Sequence, residues 1–72
     1  MGQGEVIDIL KKFNKPMSRT EIATALDANP RRISVLLNKL IRWGEILCKE
    51  IDRFEAEELY GVKHRMSIFY LE

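Results

Sequence analysis

Arg31, Val35, Asn38 and Arg42 follow one another at intervals of four, three and four residues. That spacing lines side chains along one stripe of an α-helix. Arg32, Ser34 and Lys39 stand among them. The chemistry of such a set is recognition of flat, hydrogen-bonding surfaces. A guanidinium forks onto two acceptors of a guanine edge, an asparagine amide pairs with an adenine edge, and a valine methyl meets a thymine methyl. The plain alternative is a solvated helix face. The elements around the stripe favour contact with double-stranded DNA.

Two further groups carry usable charge. Arg19 and Thr20 open a helical segment, where backbone amides suit a phosphate or where the residues simply cap. Lys63-His64-Arg65 precedes a terminal strand, as a phosphate or minor-groove contact or as a solvated loop. The candidate DNA-contacting set is therefore Arg19, Thr20, Arg31, Arg32, Ser34, Val35, Asn38, Lys39, Arg42, Lys63 and Arg65. No catalytic residue, metal ligand or cofactor is assigned. One histidine (His64) and one cysteine (Cys48) are too few for a zinc site. Cys48 reads as a small buried strand residue. Glu55, Glu57 and Glu58 read as a solvated acidic loop. With no glycine-rich phosphate loop and no nucleophile–base signature, nothing points to an enzyme. Trp43 reads as core or rim, with an exposed protein contact as the alternative.

Composition sets the frame. Seventy-two residues suffice for one domain, 1–72, and 46% hydrophobic residues can fill one small core. The net charge is only +1, but it is unevenly spread. Residues 15–44 carry a net +4 and residues 45–58 a net −4. A single cysteine suits a reducing compartment. No apolar run reaches about 18 residues, and no basic region followed by an apolar stretch opens the chain. Val6 stands where acylation at Met1-Gly2 would need Ser or Thr. The expectation is a soluble, cytoplasmic protein with no membrane contact.

The elements that must position the stripe are readable from periodicity and caps. Helix 1 spans about 3–13, with Val6, Ile9, Leu10 and Phe13 at helical spacing. Asn14 tolerates a left-handed ending and Pro16 forbids continuation. Helix 2 spans about 18–26, opened by the capping box Ser18-Arg19-Thr20-Glu21, with Ile22, Ala23 and Leu26 inward. Asp27-Ala28 is the turn. Helix 3 spans about 30–43, with Asn29 as N-cap, Pro30 first, and Ile33, Leu36, Leu37, Leu40 and Ile41 on one face. Gly44 ends it. Segments 45–51 and 67–71 have strand character and pair as an antiparallel hairpin across a long loop. That loop holds a helical turn near Glu55–Tyr60. Phe69 and Tyr70 point to opposite faces. A helix, a tight turn and a basic second helix form a DNA-reading arrangement.

Residues 16–51 resemble the winged-helix repressors of the MarR, ArsR and Lrp type, found in bacteria and archaea. The likeness lies in Ser18-Arg19-Thr20-Glu21-Ile22-Ala23, then Ile33-Ser34, then Leu40-Ile41-Arg42-Trp43-Gly44-Glu45-Ile46. It implies an α+β winged helix-turn-helix: a three-helix bundle plus a C-terminal antiparallel β-hairpin wing over about 45–72. It further implies a transcription regulator that reads double-stranded DNA with helix 3 in the major groove, as a monomer or weak homodimer. The chain departs from those repressors in its acidic wing segment 52–58, in Trp43, and in lacking their long dimerisation helices. These departures suit the alternative, a protein-interaction module of a transcription, replication or degradation complex, bound through Trp43 and the wing.

Overall fold

A computed structural model describes residues 3–72; Met1 and Gly2, which enter the acylation argument, lie outside the described residues. Three helices come first. α1 (Gln3–Phe13) ends at Asn14, whose φ of 50° is left-handed. α2 (Arg19–Ala25) and α3 (Pro30–Arg42) follow the expected caps, each slightly shorter than expected. Ser18 and Leu26 are the caps of α2 rather than members of it, and Trp43 is the C-cap of α3.

The rest of the chain is richer than a plain hairpin. Strand β1 (Met17–Ser18) precedes α2, β2 (Leu47–Ile51) follows α3, and β3 (Met66–Tyr70) comes last. Between β2 and β3 lies a full helix, α4 (Arg53–Tyr60). The strands form one antiparallel sheet in the order β1-β3-β2. Cys48 faces Phe69, Lys49 faces Ile68, and Met17 also faces Phe69. The three-helix, two-strand expectation is thus corrected to four helices and three strands among the described residues. The hairpin pairing of the expected segments holds, with strand limits shifted by one or two residues.

Two apolar clusters occupy the two faces of the sheet, because neighbouring strand residues point opposite ways. Phe69 joins Val6, Leu10, Met17, Ile22, Ala23, Ile33, Leu37, Leu40 and Ile46 in the main core under the helices. Ile68 joins Ile51 and Ala56 under α4. Leu26 and Leu36 pack against the main core, as helix periodicity requires. Phe13 and Ile41, assigned to inward stripes, are exposed instead. Phe13 is the last residue of α1, and Ile41 is turned toward an open cleft. No helix among the described residues is long and apolar enough to cross a membrane.

Candidate nucleic-acid interface

The α2–α3 pair is fixed by its ends. Ser18 and Glu21 form the reciprocal capping box: the Glu21 amide donates to Ser18 Oγ at 3.1 Å, and the Ser18 amide donates to Glu21 Oε1 at 3.0 Å. α2 ends with Asp27 in the left-handed region, φ 51°. The Ala28 amide then donates to the Ala23 carbonyl at 2.9 Å and Asp27 to Thr24 at 3.2 Å. This six-to-one and five-to-two pattern is a Schellman ending. It turns the chain within residues 26–29 into α3, whose N-cap Asn29 accepts from the Arg31 amide at 2.8 Å. α3 ends the same way through Gly44, φ 73°, with the Glu45 amide bonded to the Leu40 carbonyl at 2.9 Å. A side-chain bond crosses between the helices: Arg19 Nη1 donates to Ser34 Oγ at 2.9 Å. Two expected DNA contacts therefore meet each other. Arg19 keeps further guanidinium donors, since arginine carries five.

α3 sorts its residues cleanly at about 100° per residue. Ile33, Leu37 and Leu40 are buried. Arg31, Val35, Asn38 and Arg42 centre on the opposite side and all are exposed, Val35 by 55%. Arg32 and Lys39 are also exposed, while Ser34 is half-buried beside α2. Among the described residues, the ion pairs are Lys15–Glu21 and Arg65–Glu50. The four cations of α3 thus have no carboxylate partner among them. Trp43 flanks this face and is 59% exposed, which corrects the reading of it as core or rim. It is the C-cap of α3, with its amide bonded to the Lys39 carbonyl at 3.0 Å, three residues past Leu40, the last buried residue of the helix.

A cleft of about 940 Å³ runs beside α3, with Ser34, Asn38 and Ile41 on one wall and Cys48, Glu50, His64 and Arg65 on the other. Leu37 and Phe69 also line it. Cys48 is exposed, against the expectation of a buried residue, because it sits on an edge strand whose inner side borders this open space. Glu50 Oε1 lies 3.4 Å from Arg65 Nη1, so one expected phosphate contact is already paired. His64 Nδ1 lies 2.8 Å from the Arg65 carbonyl, and Lys63 is exposed.

α4 blunts the hairpin. Asp52 caps it, accepting from the Glu55 amide at 2.9 Å, and Gly61 ends it at φ 69°. Its inner face buries Ala56, and Tyr60 Oη donates to the Pro16 carbonyl at 2.9 Å. Desolvation, then the nearby charges of Glu21 and Glu55, push the Tyr60 hydroxyl above the usual tyrosine range. Phe54 lies about 160° around from Ala56, 71% exposed, with the Arg53 guanidinium 5.0 Å from its ring centre. Glu55, Glu57 and Glu58 belong to this helix, not to a loop.

Sequence reasoning missed Glu50 and Tyr60. The register that sets Glu50 opposite Ser67, next to Arg65, needs the sheet. The Tyr60 bond spans 44 residues. No three histidine, cysteine or acidic residues cluster as a metal site among the described residues. No family model, curated protein or solved structure matches the chain.

Proposed function

We propose that this chain is a winged helix-turn-helix domain that binds double-stranded DNA as a transcription regulator, with α3 lying in the major groove. The observation that carries the reading is the outward face of α3. Arg31, Asn38 and Arg42 are exposed there without carboxylate partners among the described residues, and the exposed Val35 adds a methyl surface. Guanine, adenine and thymine edges present the matching acceptors, donor and methyl. The helix pair with its short turn supports the reading, as does a sheet that brackets it between its first and second strands. Arg19, Thr20 and Lys63 reach phosphates at the margins, and Arg65 joins them when released from Glu50. The domain works without a cofactor and carries no catalytic chemistry of its own.

The test is a titration of labelled duplex at low and moderate salt. Neutralising four to six phosphates predicts log affinity falling against log salt with a slope of about −4 to −5. Absence of duplex binding near 20 mM salt, where this electrostatic attraction is strongest, overturns the proposal. A second reading, a protein-interaction module, is favoured by the exposed indole of Trp43 and would then stand in its place.

A further inference from the structure

The charge of this chain is divided between opposite sides of the sheet. α3 packs on the face that carries Phe69, and α4 on the face that carries Ile68. α3 shows Arg31, Arg32, Lys39 and Arg42 to solvent. α4 shows Glu55, Glu57 and Glu58, with Asp52 at its start, against the single cation Arg53, so its face is acidic on balance. Each charged face also holds an exposed apolar group at its centre, Val35 on the basic face and Phe54 on the acidic one. Phe54 is the most exposed large apolar side chain of the described residues, and the Arg53 guanidinium over its ring leaves it 71% exposed. Glu57 and Glu58 follow it at three and four residues, the spacing that sets them beside it on the helix.

We propose that the outer face of α4 docks the α3 face of a second copy of this chain, head to tail. Phe54 of one molecule sits against Val35 of the next, ringed by the glutamates of α4 and the arginines of α3. The occupant follows from charge complementarity: the surface that matches an acidic helix with an aromatic centre is a basic helix with an aliphatic centre, and this chain carries one. The two patches differ, so the contact is heterologous and repeats rather than closing on a two-fold axis. It covers the side chains assigned to DNA, so a docked copy and a duplex exclude one another. The docking itself rests on the two exposed faces alone and is tested without nucleic acid.

Sedimentation velocity on the full chain reads it. At about 20 mM salt the sedimentation coefficient rises steadily with protein concentration. Near 1 M salt, where charges are screened within about 3 Å, the rise is lost. Two variants then decide the geometry. One removes the acidic patch (F54A with E55Q, E57Q and E58Q); the other removes the basic patch (R31A with V35A and R42A). All substituted positions are exposed, so melting temperatures near that of the wild type confirm that both variants are folded. Each variant alone sediments as a monomer, while an equimolar mixture forms a one-to-one dimer that grows no further, because one good patch of each kind remains. A wild-type monomer at every concentration in low salt overturns the proposal. So does a mixture that stays monomeric, or self-association that persists in either variant alone. Duplex binding by the acidic-patch variant, measured separately, reports on the DNA reading and is indifferent to this result.

Discussion

If α3 reads DNA, its two terminal arginines have different work, and the geometry says which does what. Arg31 and Arg42 are eleven residues apart, which is about 16 Å along the helix at 1.5 Å per residue. A straight helix of this length does not follow the curving major groove, so its two ends meet different parts of the duplex. Recognition helices enter by their N-terminal residues, which puts Arg31 at a base and Arg42 at a phosphate. A bidentate arginine–guanine contact discriminates by about 1–3 kcal/mol, a factor of about 5 to 160. Arg31→Ala therefore lowers affinity for a preferred duplex by about that factor and barely changes affinity for unrelated duplexes. Arg42→Ala weakens all duplexes alike and makes the salt slope shallower by about 0.9, the share of one phosphate. The assay is fluorescence anisotropy between 20 and 200 mM salt, using a preferred duplex selected from a random pool and several scrambled ones. If Arg31→Ala weakens every duplex equally while Arg42→Ala erases the preference, the helix enters by its other end. If neither changes binding, α3 is not the reading surface.

Other outcomes follow from the same structure. Leu37→Ala, at a buried position of the main core, costs about 2–5 kcal/mol and lowers Tm by at least about 8 °C. Val35→Ala on the same helix changes stability by less than about 0.5 kcal/mol yet weakens DNA binding; equal Tm shifts for the two would reverse the facing of α3. Glu50→Gln releases Arg65 into the cleft, changes stability by less than about 1 kcal/mol because the pair is exposed, and tightens duplex binding. Unchanged binding would remove the cleft from the DNA path. Because the Tyr60 hydroxyl is raised above its ordinary value near 10, the stability it contributes is fully present below about pH 10 and is lost as pH rises through the higher folded value. Urea midpoints between pH 9 and 11 should fall more steeply for wild type than for Tyr60→Phe; parallel falls would refute the assignment.

The first half of the chain was legible because its instructions are local. Ser18 and Glu21 cap within three residues, Asn29 and Pro30 open α3, Gly44 closes it, and the apolar intervals separate Ile33, Leu37 and Leu40 from Arg31, Val35 and Arg42. The second half depends on distant partners. β1 is two residues long and exists only because Met17 and Ser18 find Phe69 and Ile68. α4 buries a single side chain, Ala56, so its sequence shows no apolar stripe. Its Asp52 cap and Gly61 ending lie in a segment read as a loop holding only a helical turn. Cys48 was expected buried and Trp43 core or rim, and both are exposed, because burial there turns on an edge strand and on the end of α3, neither of which has a periodic signature. Of the candidate contacts, the exposed stripe of α3 follows from sequence alone. The Arg19–Ser34 and Arg65–Glu50 bonds, each spanning 15 residues, do not.

The strand order has a consequence for how the molecule comes into being. β3 is the central strand, holding β1 on one side and β2 on the other, yet it is the strand that emerges last. Until residues 66–70 have left the ribosome, neither β1 nor β2 has a neighbour, the main core lacks Phe69, and α4 has no Ile68 to rest on. Synthesis therefore delivers the segments of four helices and two outer strands before the strand that joins them. The sheet and both apolar clusters can be completed only once that strand is available. The stretch between Gly61 and Met66, which holds Lys63, His64 and Arg65, is therefore the link through which both clusters receive their last strand.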